Sequence, residues 1–381
     1  MNPQSAIIAG FKRSPFTLAH KGQLAGVRPD TLAAQVVSAL VEESGLPPET
    51  IEDLIMGCAF PEGEQGLNIA RLVVHLAGLP LSVAGVTVNR FCGSSMQAIH
   101  NAAGAIALGC GEAFICAGIE SMTRVPMGGY NTLPHPDLYQ KLPGAYMGMG
   151  ETAENLARKY HIPRADQERF ALTSQQKTLA AMAQGRFQVE LVPIGQDALS
   201  VTEDGCPRAD STLETMAELK PAFLETGSVT AATSSPLTDG AAAVLVVSEA
   251  FADRHGLPKL ARIKSFAVSA CAPEIMGIGP VAASQKALAR AGLTLADIDI
   301  VELNEAFAAQ ALAVLKDLPI PEDKLNLDGG AIALGHPLGA TGARITGKAA
   351  SLLKREGKRY ALATQCIGGG QGIATVLEAV S

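Results

Sequence analysis

The sequence of 381 residues contains no tryptophan, and aromatic residues make up only 4% of it. Surfaces that hold single-stranded nucleic acid stack bases on such rings, so their scarcity argues against that role. The charge balance points the same way. There are 30 Lys and Arg against 37 Asp and Glu, a net charge of −7, whereas phosphate binding draws on a basic face. No Cys-x-x-Cys, His-Glu-x-x-His or paired Cys/His cluster occurs, so the spacings of a metal site are missing. The seven cysteines are odd in number and scattered, which argues against a disulfide framework and for a reducing, cytoplasmic setting. The opening MNPQSAIIAGFKRSPF lacks the basic segment and long apolar run of a signal peptide. Two stretches, 72–89 and 91–111, carry no Asp, Glu, Lys or Arg. Gly78, Pro80 and Gly85 would break a spanning helix in the first, and Ser94, Ser95, Gln97, His100 and Asn101 make the second too polar for a bilayer. Both are expected in a buried core.

What the chain does have is apolar bulk, 48% hydrophobic residues, and 39 glycines spread along its length. That is enough to bury a large core in two or three domain-sized units, and it excludes disorder as the main state. Apolar runs at 6–9, 51–57, 84–88 and 113–117 read as strands. Periodic or small-residue stretches at 31–44 and 93–108 read as helices. This alternation predicts an α/β fold with parallel or mixed sheets. The order then returns. Gly45 and Ile51 have counterparts in Gly292 and Ile298, both 247 residues on, and Ile7–Phe11 resembles Ala261–Phe266. Two similar halves, near 1–120 and 250–381, are therefore expected. Residues 118–225 fall outside the repeat. With helical stretches at 152–159 and 165–183, they read as an insertion carrying substrate contacts.

Four positions could carry chemistry. Cys92 follows a strand, and Gly93-Ser94-Ser95 after it opens a helix. A thiol at a helix start feels the positive end of the dipole, which is expected to lower its pKa, and nearby N–H groups can hold an oxyanion. That context favours a nucleophile over a structural cysteine. His336 sits among Gly329, Gly330, Gly335, Gly339 and Gly342, placed by loop geometry where it could activate a thiol, the alternative being a surface-loop histidine. Cys366 ends a strand before Gly368, Gly369, Gly370 and Gly372. It could be an acid/base with a pKa nearer neutrality than a carboxylate, or a strand-end core cysteine. Asn304 could hold a water or a carbonyl oxygen, or cap a helix. Gly342 to Ala349 nearly spells a phosphate loop, but Ala349 replaces its hydroxyl and the stretch reads as helix. Gly368–Gly372 does not complete a dinucleotide fingerprint.

Together the strings NRFCGSSMQAIH (89–100), MGETAEN (149–155), DGAAAVL (239–245), NEAFAAQ (304–310), GGAIALGHPLGATGARI (329–345) and QCIGGGQG (365–372) resemble the thiolase family, in its order and over nearly the whole chain. The likeness is greatest to its degradative 3-ketoacyl-CoA members. The resemblance implies a five-layer α-β-α-β-α fold of two similar halves, 1–250 and 251–381, with the loop domain at about 118–225 inserted in the first. It implies an acyltransferase in which Cys92 is the nucleophile, His336 its activator, Cys366 the second acid/base and Asn304 the holder of a catalytic water. Backbone N–H groups of Cys92 and Gly368 would form an oxyanion hole. Coenzyme A contacts would fall on Arg208, Phe223, Ala231, Ser235 and Phe307, with Met149 near the acyl group. The substrates would be 3-oxoacyl-CoA and CoA, with no metal and no organic cofactor. The protein would be a homodimer or homotetramer, open to association with a hydratase/dehydrogenase subunit of β-oxidation. The other readings are an acetyl-CoA acetyltransferase working in the biosynthetic direction, with the same residues, and a partner subunit that keeps the fold without turnover. Two positions depart from common family forms. Thr233 stands where many members carry Asn. Gly148 stands where acetoacetyl-specific members carry His, which favours longer substrates.

Overall fold

A computed structural model describes residues 4–195 and 200–380. The first half contains β1 (Ala6–Arg13), β2 (Thr17–Leu18), α1 (Pro29–Ser44), β3 (Asp53–Gly57), α2 (Ile69–Leu76), β4 (Ala84–Val88), α3 (Ser94–Ala107) and β5 (Ala113–Ser121). A segment with α4 (Pro136–Lys141), α5 (Met149–Lys159), α6 (Arg164–Ala183) and α7 (Leu213–Ala217) follows, and β6 (Thr238–Ser248) and α8 (Glu249–His255) complete this half. The second half contains β7 (Ala261–Ala270), α9 (Gly279–Ala291), β8 (Ile300–Leu303), α10 (Ala308–Asp317), α11 (Ala331–Leu334), α12 (Leu338–Glu356), β9 (Tyr360–Ile367) and β10 (Gln371–Glu378).

The strands run in the order β4-β3-β5-β6-β1-β7-β10-β9-β8, with β2 against β6. β1 meets β7 through only two pairs, Ile7 with Arg262 and Ile8 with Ala261, so the array is two sheets joined at one corner. The parallel pairs β3–β4, β3–β5 and β8–β9 sit toward the outer ends. β5 and β6 are buried along their whole length, as the apolar AFICAGIES and DGAAAVLVV strings require of strands covered on both faces. α1 and α2 cover the outer face of the first sheet, α9 and α10 the outer face of the second. α3 and α12 lie between the sheets in a core that takes Ile55 and Val244 from one sheet and Ala363 and Ile373 from the other. This is the five-layer α-β-α-β-α order.

The repeat is visible in backbone detail. Gly45 ends α1 at φ 64° and Gly292 ends α9 at φ 67°, the left-handed conformation that glycine adopts without strain. A 3-10 turn and then β3 or β8 follows each. The near phosphate loop at 342–349 is buried inside α12.

Two sequence expectations need correction. The segment outside the repeat runs from 122 to 237, not 118 to 225, because β5 continues to Ser121 and β6 begins only at Thr238. The stretch 72–89 is not core throughout. β4 is the edge of the array, and Leu72, Leu76, Leu81 and Val86 are exposed. Lack of charge marks an apolar surface there rather than an interior.

Candidate active site

Cys92 sits in a strained turn between β4 and α3. Phe91, just before it, has φ 42°, a conformation unfavourable for a bulky residue. The turn is held by the Ser94 hydroxyl, which accepts from the Arg90 N–H (2.9 Å), and by the Gly93 N–H donating to the Arg90 carbonyl (2.9 Å). Gln365 of β9 donates its side-chain N–H to the Cys92 carbonyl, so the second half grips the turn directly. A Cβ on Gly93 would stand 2.7 Å from Ile367 Cδ1, so any larger residue would require the Ile367 side chain to shift. The Cys92 thiol is buried, and burial pushes its pKa up to about 12. The backbone N–H groups of Gly368 and of Cys92 itself pull it down, and the charge of Glu120 raises it further. The lowered pKa expected from the helix start is thus overturned: loss of water outweighs the helix dipole. The thiol rests protonated, and attack requires a base.

His336 lies between α11 and α12, after Gly335 at φ 99°. It is buried, not a surface-loop residue. Its backbone N–H donates to Thr238 Oγ1 (3.1 Å), and its ring Nδ1 meets Thr341 Oγ1 at 2.6 Å. Asn304 Nδ2 lies 3.4 Å from Nε2. With Asn304 donating there, the ring proton is on Nδ1, shared with Thr341, and Nε2 carries a lone pair. Burial, and then Arg344, lower the imidazole to about 3, so the ring is neutral. Asn304 does not cap a helix; the residue in that position for α10 is Phe307. The Asn304 Oδ1 is buried without a partner among the described residues, a place suited to a bound water.

Cys366 is the penultimate residue of β9, and Gly369 and Gly370, at φ 78° and 86°, turn the chain into β10. Burial, and then the neighbouring Cys92, push its thiol well above its ordinary value. Burial thus makes it a weaker acid than an ordinary thiol, against the expectation of an acid/base with a pKa nearer neutrality than a carboxylate.

Cys92, His336 and Cys366 line one cavity of about 110 Å³. Met149, Phe223, Ser235 and Phe307 line it too, with Phe223 edge-on to Phe307 at 5.7 Å. The walls are mainly apolar, with Met122, Met276 and Leu338 deep inside and Met127 and Leu237 exposed near the mouth. Gly368 faces the site through its N–H. Arg208 and Ala231 are not in the lining: Arg208 sits against α6, its N–H on Gln175 Oε1 (2.9 Å), and Ala231 is exposed. Thr233 is buried with its hydroxyl spent on Thr230, so it presents no group to a ligand. Gly148 is exposed before α5, with space where a side chain would be. Larger hollows, of about 200, 410, 510 and 710 Å³, lie elsewhere, and their linings contain neither cysteine nor histidine.

Reading motifs missed Thr341, Gln365 and Glu120. Thr341 stands five residues beyond the histidine, in the first turn of α12. Gln365 and Glu120 act across the halves, which no local pattern reveals. Among the described residues there is no cluster of three or more His, Cys, Asp or Glu arranged for a metal, and no helix long and apolar enough to cross a membrane.

The chain matches the thiolase N-terminal domain over residues 6–250 and the thiolase C-terminal domain over 257–379. It is 46% identical to a 3-ketoacyl-CoA thiolase of Bacillus subtilis, over 98% of this chain and 99% of the relative. It is 48% identical to one of Shewanella baltica, over 99% and 100%. Among solved structures it resembles the acetyl-CoA acetyltransferase of Bacillus anthracis, with a TM-score of 0.91, 39% identity and full coverage of both chains. It also resembles human mitochondrial 3-ketoacyl-CoA thiolase in complex with CoA, with a TM-score of 0.91 and 38% identity over 99% and 98%.

Proposed function

The chain belongs to the thiolase family, and from that premise we propose how its residues cleave 3-oxoacyl-CoA with CoA to give acetyl-CoA and a shortened acyl-CoA. The observation that carries the reading is the pair of buried thiols and the neutral imidazole around one apolar cavity.

In the first step Cys92 Sγ attacks C3 of the substrate and its proton passes to His336 Nε2. The N–H groups of Cys92 and Gly368 hold the oxygen that becomes negative. The C2–C3 bond then breaks, leaving an acyl group on Cys92 and the enolate of acetyl-CoA. The protonated His336 and a water on Asn304 steady the enolate oxygen, and Cys366 gives its proton to C2. In the second step the thiolate of Cys366 takes the proton of an incoming CoA, whose sulfur attacks the acyl-Cys92 thioester. Cys92 leaves and recovers its proton from His336. Two high-pKa thiols suit this sequence because each gives up its proton only when a base or a carbanion is there to receive it. Each proton and the acyl group has a named carrier in the chain, and CoA is a substrate rather than a cofactor.

Met149, Phe223, Ser235 and Phe307 would hold the acyl and pantetheine parts. Arg208 and Ala231, away from the cavity, would meet only the distal part of CoA. The space at Gly148 favours chains longer than acetoacetyl. The open edge of β4, flanked by exposed Leu72, Leu76, Leu81 and Val86, would pair with a second copy of the chain to form a homodimer. We place the protein in the cytoplasm, in degradative fatty-acid metabolism.

The test is thiolysis across a series of 3-oxoacyl-CoA substrates from four carbons upward, with mass spectrometry of the acylated peptide. Activity rising beyond four carbons with the acyl group on Cys92 is expected. Equal or higher kcat/KM on acetoacetyl-CoA would assign the chain to the acetyl-CoA acetyltransferase type. An adduct on Cys366 alone would reverse the roles of the thiols, and a chain inert on every substrate would be a non-catalytic subunit.

A further inference from the structure

The penultimate residue of β5 is Glu120, a carboxylate buried beside Cys92 for which the reaction above has no use. Each of its oxygens accepts two N–H groups. Oε2 takes those of Ala59 (2.8 Å) and Gly339 (3.0 Å), and Oε1 takes those of Phe60 (3.2 Å) and the Gln65 side chain (2.9 Å). Burial raises the Glu120 carboxyl above its ordinary value, and the N–H groups of Ala59, Gly339, Gln65 and Phe60 draw it back down. With four N–H donors and the Cys58 thiol (3.8 Å) on two oxygens, the hydrogen-bond pattern is that of a carboxylate. The donors come from both halves. Ala59 packs with Cys92 in one apolar cluster, whereas Gly339 is in the first turn of α12, three residues after His336. A Cβ on Gly339 would stand 2.9 Å from Glu120 Oε2 and 2.8 Å from Cys58 Cα, so its lack of a side chain is what lets the carboxylate reach that N–H.

We propose that Glu120 is a positioning residue for this chemistry: its carboxylate fastens the loop that carries His336 onto the wall that holds Cys92, and so sets the thiol and the imidazole in register across the two halves. The argument is geometric. An ionised side chain is costly to bury unless its partners require it, and these partners are the two segments whose relative placement the first step depends on. The ionisable groups around Cys92 are Glu120, Cys366 and His336. Removing the Glu120 charge takes away a repulsion on the thiolate, so it should make Cys92 easier to ionise even as it weakens catalysis.

This inference rests on the thiolysis reading, and the test separates the two. Wild-type enzyme is assayed for thiolysis first; an inactive wild type defeats that reading and leaves Glu120 without a reaction to serve. With an active wild type, Glu120→Gln and Glu120→Asp are compared by kcat, by KM, and by the alkylation rate of the peptide containing Cys92 at fixed neutral pH. Glu120→Gln is expected to lose about a hundredfold in kcat, the scale of a misplacement near 1 Å, with KM changed far less and Cys92 alkylated several-fold faster. Glu120→Asp keeps the charge but draws it back from Gly339, so kcat falls while alkylation stays at the wild-type rate. Should Glu120→Gln fail to fold, Glu120→Asp decides the matter alone. A variant with wild-type kcat overturns the proposal, as does a loss in which kcat, KM and alkylation all decline in step with the folded fraction.

Discussion

At the start of α3 the first half presents Cys92, and 247 residues later, in the first turn of α12, the second half presents Gly339. The two junctions stand in equivalent places and face one another: Gly118 of β5 is too close to Gly339 and Ala340 to carry a Cβ, and Gly342 is as close to Met96. One junction carries the proposed nucleophile. The other has glycine at the matching position, and His336 stands three residues upstream of it. The glycine gives the backbone room to approach, since a Cβ there would stand within 2.9 Å of Cys58 Cα, the Ile119 carbonyl and Glu120 Oε2. Two buried histidines also differ. His100 in α3 is stacked on Phe266 and bonded to Thr375, outside the cavity lining, whereas His336 is part of that lining.

The sharpest way to break this comparison is to give both junctions an inert residue. Cys92→Ala should abolish thiolysis, a loss of about 10,000-fold or more, as for other removed nucleophiles, and should leave no acylated peptide in the mass spectrum. Residual turnover above that level would return the nucleophile to another thiol.

A smaller loss is expected outside the two junctions. Cys366→Ser should lower steady-state thiolysis by about a hundredfold or more, because a hydroxyl is far too weak an acid for the proton transfers assigned to it. Cys92 and its N–H groups stay in place, so acylation by a simple acyl-CoA should persist. The ratio of acyl-enzyme formed to thiolysis measured in one preparation checks this, and near wild-type turnover would remove the second thiol from the mechanism.

Adding a side chain at Gly339 probes packing. In Gly339→Ala the new Cβ would lie within 2.9 Å of Cys58 Cα, the Ile119 carbonyl and Glu120 Oε2. Overpacking of this kind costs about 1–3 kcal/mol, to be read by urea unfolding. Unchanged stability would mean the two junctions have more freedom than their contacts allow.

The least effect per step is in the pH dependence. His100 and His336 are both held near 3, against 6.5 for a free side chain. Between those values the unfolded chain binds protons that the folded chain does not, so stability rises with pH across the window and is lost on acidification. Each histidine contributes about 1.4 kcal/mol per pH unit at most. Unfolding measured at pH 7, 6 and 5 should show this slope, and His100→Gln should remove one half of the pair's contribution. A slope untouched by that substitution would show that His100 is not held neutral.

Much of the fold was legible from pattern alone. The strand at 84–88 falls where the apolar run predicts it, the helices over 31–44 and 93–108 match within two residues at each end, and the paired Gly45 and Gly292 disclosed the repeat. These features depend on short-range chemistry: side-chain periodicity, and a glycine wherever the backbone turns left-handed. The candidate residues stood out for a related reason: His336 and Cys366 lie in glycine-rich strings, and Cys92 precedes Gly93 at a helix start. What the sequence could not supply was any quantity set by distance across the halves. The same Cys92 that a helix start alone would make acidic is made a weak acid by burial, and the open edge of β4 reads in sequence like core. The grip of Gln365 on Cys92, the hold of Glu120 on Gly339 and the neutrality of His336 were decided only when the two halves closed, because desolvation and hydrogen bonding depend on what a group faces in space, not on its neighbours along the chain.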